Sequence, residues 1–266
     1  MSTPAPPILD LDVDTALAAI PGLAGARVRE RLADGPTNAS YLVEQAGERF
    51  VLRLDKPEAA VLGLDRANER RVCEAIAAAG LGPAYLHFDA AAGVCLRPWL
   101  EGRSLHPDDL RDRGVLQRLA AALRQLHGLA PLGATFDPLA AARRYAEQLG
   151  TPGAGSLAAR AAELSAGLQA HAPPPVLCHN DLVCENVLLT AGQGLLLIDW
   201  EYAAVGDPWF DLAVVVRHHE LGEALAGYFL EAYLQRPPTA RESHRLSRQC
   251  AFYGCLLELW NLRVRM

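Results

Sequence analysis

The chain has 266 residues, 51% of them hydrophobic, at a mean hydropathy of +0.07, enough for one large domain or two small lobes around a sizeable core. A formal net charge of −6 and a pI of about 5.8 argue against a nucleic-acid partner and favour a cationic small molecule; no apolar run reaches the length of a membrane span. Residues 1–14 are Pro-rich and acidic without a basic leader, so no signal peptide is expected, and the six cysteines, with no C-x-x-C pair, read as buried free thiols of a cytoplasmic protein.

Residues 14–20 suggest a short helix and residues 26–32, which alternate, a strand. The small-residue loop from Asp34 to Ser40 follows, then a hairpin of strands 41–45 and 50–54 around Ala46–Gly47. Such a loop lets backbone N–H groups approach phosphate, although an ordinary turn reads the same way. The second hairpin strand carries Arg53, whose fork suits phosphate oxygens; a solvent-facing Arg is the alternative. Residues 65–79 form a helix with Asp65 at its N-cap and Gly80 at its stop. Glu69 on that helix is the candidate partner of Arg53, with Glu74 as rival. Strands 84–89 and 94–98 close the first lobe near residue 100.

From Pro107 the pattern is helical, with Leu116, Leu119, Ala120, Leu123 and His127 at helical spacing; His127 reads as a cap or packed residue. Helices at 139–149 and 156–170 flank a loop at 150–155, and further helices fall at about 210–219, 223–234 and 239–264. Between them lies the most informative stretch, 176–212. An apolar run leads into His179–Asn180–Asp181; Asn186 comes five residues after Asp181; a hairpin then ends in Asp199. His-x-Asp-x-x-x-x-Asn, a strand pair and an Asp is the spacing of a kinase catalytic loop and its metal-binding Asp. A carboxylate (Asp181) orients a hydroxyl and accepts its proton, while an amide oxygen (Asn186) and a second carboxylate (Asp199) are hard ligands for Mg²⁺. His179 reads as structural; Asp211 as a helix cap or a tie for the catalytic loop; Asp207 as a cap or a substrate-site acid.

The segments HNDLVCENVLL and IDWEYAAVGDPWFDLA resemble the choline and ethanolamine kinases and, more broadly, the aminoglycoside phosphotransferase and thiamine kinase group. The resemblance is strongest over 177–213 and extends more weakly from about 35 to 260. It implies an α+β, two-lobed, protein-kinase-like fold: a small antiparallel-sheet N-lobe (1–100) for nucleotide and a mainly helical C-lobe (101–266) for catalysis and acceptor. It implies ATP and Mg²⁺ as cofactors, a phosphate-covering role for Thr37 and Asn38 in a G-x-T-N loop, an Arg53–Glu69 pair, and adenine contacts to backbone near 96–99. The expected reaction is phosphorylation of choline or a related amino alcohol, with thiamine or an aminoglycoside as alternative acceptors and a nucleotide-binding module without turnover as the non-enzyme alternative. Glu201, Tyr202, Trp209 and Trp260 are the candidate substrate residues, and Tyr253 stands where the animal enzymes carry a further Trp.

Overall fold

The computed structural model describes residues 12–61, 64–192 and 194–265; most of the N-terminal stretch read above for a leader (1–11) and residue 193 of the expected hairpin turn lie outside them. The chain divides into two compact units, Met1–Gly102 and Arg103–Met266.

The first unit begins with α1 (Val13–Ala19), capped by the Asp12 carboxylate, which accepts from the N–H groups of Asp14 and Thr15. The chain then meanders through β1 (Arg27–Asp34), β2 (Asn38–Gln45) and β3 (Glu48–Asp55), passes α2 (Pro57–Val61) and α3 (Arg66–Ala78), and returns as β4 (His87–Asp89) and β5 (Val94–Pro98). These strands form one antiparallel sheet in the order β1-β2-β3-β5-β4. Alternation on β3 decides the layering, because successive side chains leave opposite faces of a strand. Leu52 and Leu54 stand opposite Leu96 and Val94 of β5 and pack with Ala16 and Leu17 of α1 and with Ile20 just after it. Arg53 and Asp55 therefore leave by the other face, where they meet Arg66 and Glu69 of α3. The edge strand β1 is exposed along its whole length and carries Arg27, Arg29 and Arg31, charges that discourage edge-to-edge pairing.

After β6 (Gly102–Ser104) and a 3₁₀ turn at Pro107–Arg111, the second unit runs α4 (Arg113–His127), α5 (Pro138–Leu149) and α6 (Pro152–Gln169). It continues with β7 (Val176–Cys178), β8 (Val187–Thr190), β9 (Leu195–Leu197) and β10 (Ala204–Gly206), then α7 (Pro208–His218), α8 (Glu223–Leu234) and α9 (Ala240–Val264). Short polar side chains begin most of these helices, as N-cap physics requires. Asp112, Asp137, Thr151, Asp207 and Thr239 each accept from backbone N–H groups of the following turn, and Pro occupies the first position of α5, α6 and α7. This corrects two boundaries. The expected loop at 150–155 is a two-residue turn: Gly150 ends α5 at φ 62°, Thr151 caps, and Pro152 already lies in α6. The helix expected from Pro107 begins at Arg113, because the Asp112 carboxylate starts a new helix there. Among the described residues no helix is long and apolar enough to cross a membrane.

Gly93 sits at φ 68° in the β4–β5 turn, where an added Cβ would lie 2.7 Å from Cβ of Asp55. Its carbonyl accepts from the Asp55 N–H at 2.8 Å, so the backbone there cannot easily move. Gly93→Ala should therefore lower unfolding free energy by about 1–3 kcal/mol in a urea titration. A change within about 0.5 kcal/mol would contradict this close fit.

Candidate active site

The second unit builds its site around the segment that follows β7. The backbone N–H groups of His179 and Asn180 donate to the two carboxylate oxygens of Asp211 at 2.8 and 2.7 Å. Asp211 lies one turn into α7 and is fully buried; the α7 cap is Asp207, so Asp211 is the tie rather than the cap. His127, at the end of α4, meets Asp211 Oδ2 through Nε2 at 3.0 Å and the Tyr233 hydroxyl through Nδ1 at 2.8 Å. It is a packed, bonded residue, as its sequence position suggested.

His179 shows how the loop is wired. Its Nδ1 accepts from the Asp181 N–H at 3.3 Å and its Nε2 faces the Ile198 carbonyl at 3.0 Å. These partners require the neutral Nε2–H tautomer. Burial holds the ring's pKa below its ordinary value, which agrees. With both nitrogens committed and the ring set against Trp200 at 4.4 Å, His179 is a strut, not a metal ligand. The next residue, Asn180, takes left-handed backbone (φ 66°) and donates its amide to the Tyr202 carbonyl at 2.9 Å. Asn tolerates that conformation better than most residues.

Asp181 and Asn186 are in direct contact. Asn186 Nδ2 donates to the Asp181 carbonyl at 2.9 Å and to its carboxylate at 3.0 Å. With both N–H groups so used, the amide oxygen is the atom Asn186 can offer a cation. The Ile198 N–H donates to the Asn186 carbonyl at 2.9 Å, and one residue later Asp199 adopts φ 63°. Non-Gly residues held left-handed cluster at functional sites. An amide oxygen and a carboxylate form a hard oxygen set that suits Mg²⁺. A different trio, His127, Cys178 and Asp211, also brings possible ligand atoms within 4.8 Å. It does not fit a metal, because burial and the nearby Asp211 push the Cys178 thiol up and the His127 nitrogens are engaged.

Burial, and then the charge of Glu201, push the Asp181 carboxyl up to about 6. Tyr202 reports how the acids gather: burial raises its phenol first, followed by the charges of Glu201, Asp181 and, more weakly, Asp199. Around Tyr202 stands a group of rings. Trp260 of α9 lies 6.2 Å from it and 5.7 Å from Tyr145 of α5. Three of the four predicted substrate residues, Glu201, Tyr202 and Trp260, thus share one neighbourhood. Trp209 is elsewhere: it is 8% exposed and lies under the guanidinium of Arg245, which also pairs with Asp207. Tyr253 is buried, edge-on to Phe210 and bonded to His218, and after burial the Asp181 charge raises its phenol, so it borders the acids without joining the ring group. Tyr145 supplies the additional ring. Its signal was present, an aromatic on an amphipathic helix, but core aromatics carry the same signal.

The first unit brings its predicted pair together. Arg53 donates to both Glu69 oxygens, at 2.6 and 2.9 Å, in bidentate geometry. Arg66 adds a bond to Glu69 at 2.7 Å and one to Asp55 at 2.6 Å, making a buried network of two cations and two anions. Burial pushes the Glu69 carboxyl up, but Arg53 and Arg66 outweigh it and hold Glu69 below its ordinary value. Burial prevails at Asp55, whose pKa is raised. The rival Glu74 is exposed and pairs with Arg70. Thr37 and Asn38 are both buried, and Asn38 donates to the Thr37 hydroxyl at 3.1 Å. Lys56, missed in the sequence, closes this loop by donating to the Gly35 carbonyl and pairing with Asp34.

A raised carboxylate pKa has a testable sign. The native state holds the Asp181 proton more tightly than the unfolded chain does, so this group's stabilisation is present below about pH 4 and is lost as pH rises through about 6. In metal-free protein, thermal unfolding should show stability gained between pH 7 and 4.5 relative to Asp181→Asn. Parallel curves for the two proteins would contradict the assignment.

Comparisons with known proteins bear on this geometry. Residues 28–246 match the model of a phosphotransferase enzyme family. Protein LicA of Haemophilus influenzae is 33% identical over 211 residues, 75% of this chain and 60% of that protein. Ethanolamine kinase 2 of Mus musculus is 27% identical over 199 residues, 69% of this chain and 51% of that protein. The chain thus spans less than two thirds of either relative. A crystal structure of a choline/ethanolamine kinase family protein from Mesorhizobium loti superposes with a TM-score of 0.80 at 30% identity, covering 94% of this chain and 84% of that one.

Proposed function

The chain belongs to the phosphotransferase enzyme family, with its α+β, protein-kinase-like fold, and from that premise we propose that it transfers the γ-phosphate of ATP to a hydroxyl of choline or a related amino alcohol. The observation that carries the acceptor is the ring group Tyr145, Tyr202 and Trp260 beside the carboxylates Glu201 and Asp181. A quaternary ammonium has no N–H to donate, so aromatic faces and nearby negative charge are what can hold it. Relatives named for ethanolamine and choline/ethanolamine kinases support the same class. All six cysteines are thiols, five of them buried, which fits a reducing cytoplasm.

In this reading Asp181 orients the acceptor hydroxyl and takes its proton as the oxygen bonds to phosphorus and ADP leaves. With a pKa of about 6 it is mostly ionised at neutral pH and ready to accept. Asn186, through its amide oxygen, and Asp199 would hold Mg²⁺, which neutralises charge on the phosphates when bound. Asp211 and His179 keep the loop in register. In the first unit Arg53, aligned by Glu69, serves the nucleotide phosphates, and the tight turn around Thr37 and Asn38 covers them through its backbone. Trp209 has a packing role rather than a substrate contact.

The test is consumption of Mg-ATP by purified protein with choline, ethanolamine, thiamine and an aminoglycoside in parallel. The reading expects choline or ethanolamine to give the highest kcat/KM. Preference for thiamine would keep the chemistry and change the acceptor, and no turnover with any alcohol would leave a nucleotide-binding module. Asp199→Ala should abolish productive Mg²⁺ use, while Asn186→Ala should shift the Mg²⁺ requirement less, since a full charge binds the ion more strongly than an amide dipole. Equal small effects in a Mg²⁺ titration at fixed ATP would contradict these roles.

A further inference from the structure

Arg263 lies one turn after Trp260 on α9, a spacing that puts both side chains on one face of the helix. Its guanidinium stands 5.3 Å from the ring centre of Tyr145 and 5.9 Å from that of Trp260. It is half-buried, and among the described residues no carboxylate pairs with it. Arg144 also approaches Tyr145, at 5.4 Å, but of the two arginines Arg263 is the one placed over both rings. The chain therefore lays a cation of its own on two of the three aromatic faces assigned to the acceptor.

We infer that Arg263 is a specificity determinant of the acceptor seat: its guanidinium covers Tyr145 and Trp260 until a positively charged head group displaces it. This rests on the reading of the ring group as the acceptor site. The physics is competition. One pair of ring faces cannot serve two cations at close range, and like charges brought together repel. The open seat is then a fraction of the ligand-free population, and apparent affinity is reduced by that fraction. A quaternary ammonium regains the cation–π contact that Arg263 gives up. A neutral alcohol of the same size regains nothing, so the covering arginine discriminates by charge as well as by shape.

The probe is tetramethylammonium, titrated into the full chain without nucleotide and followed by calorimetry, with steady-state kinetics on the best acceptor in parallel. Arg263→Gln should tighten tetramethylammonium binding by about two- to fivefold, the worth of an exposed cation–π contact. It should lower the acceptor KM by a similar factor and leave the ATP KM unchanged. Arg263→Lys should remain close to wild type. Arg265→Gln removes the same charge from the exposed end of the helix and should leave binding unchanged. Trp260→Leu should weaken binding. Unchanged or weaker binding in Arg263→Gln, while Trp260→Leu still weakens it, would overturn the role of Arg263 and leave the seat intact. Equal gains in Arg263→Gln and Arg265→Gln would reduce the effect to bulk charge and likewise overturn it. Failure of tetramethylammonium to bind any variant would remove the seat, and this inference with it.

Discussion

The second unit depends on one buried carboxylate. Asp211 has no solvent exposure, yet its two oxygens face the N–H groups of His179 and Asn180 and the ring of His127. A buried carboxylate is costly unless it is bonded on several sides, and these partners reach it on α7 from α4 and from the segment after β7. Their convergence fixes where the segment leaves the strand. Every later feature inherits that position: the strut of His179 on Ile198, the left-handed Asn180, and the clasp between Asn186 and Asp181. The price is backbone strain at two residues, Asn180 and Asp199, and α7 carries the Asp211 carboxylate that holds the loop.

The first unit uses charge differently. The network of Arg53, Asp55, Arg66 and Glu69 is buried in a small sheet, where desolvation opposes ionisation. Replacing such a network with apolar side chains is often neutral or stabilising, so its presence argues for placement of Arg53 rather than for stability. A guanidinium held on both Glu69 oxygens has little rotational freedom left. Gly93, lacking a Cβ, lets the neighbouring turn close over Asp55.

Much of this was legible in the sequence because local rules and function coincide. The spacing from His179 to Asp199 reads as a loop and a strand pair that ends in an acid, and the chain folds so, with a one-turn 3₁₀ helix at Cys184–Asn186 between them. Arg53 reads as a strand cation, and Glu69, one turn before the apolar face of Val72, Ile76 and Ala79, as its partner ahead of Glu74; the two pair directly. Other parts were hidden for physical reasons. Tyr145 and Trp209 each look like an amphipathic-helix aromatic; only tertiary packing sends one to the ring group and buries the other under Arg245. Arg66 and Asp55 are ordinary charges until the sheet and α3 meet. The glycines and proline at 150–155 read as a loop, although Thr151 and Pro152 together are a helix start.

The measurement that bears most directly on this account is the steady-state rate of Asp211→Asn, the near-isosteric change at the centre of the wiring. An amide there turns one acceptor oxygen into a donor facing the loop's own N–H groups. The account predicts a folded protein of reduced stability, an ATP KM within a few-fold of wild type, and kcat lower by about 10²-fold, the usual cost of a displaced catalytic group. A wild-type kcat in folded Asp211→Asn would contradict it, because Asp181 would then be positioned without the contact from which the rest of the site follows.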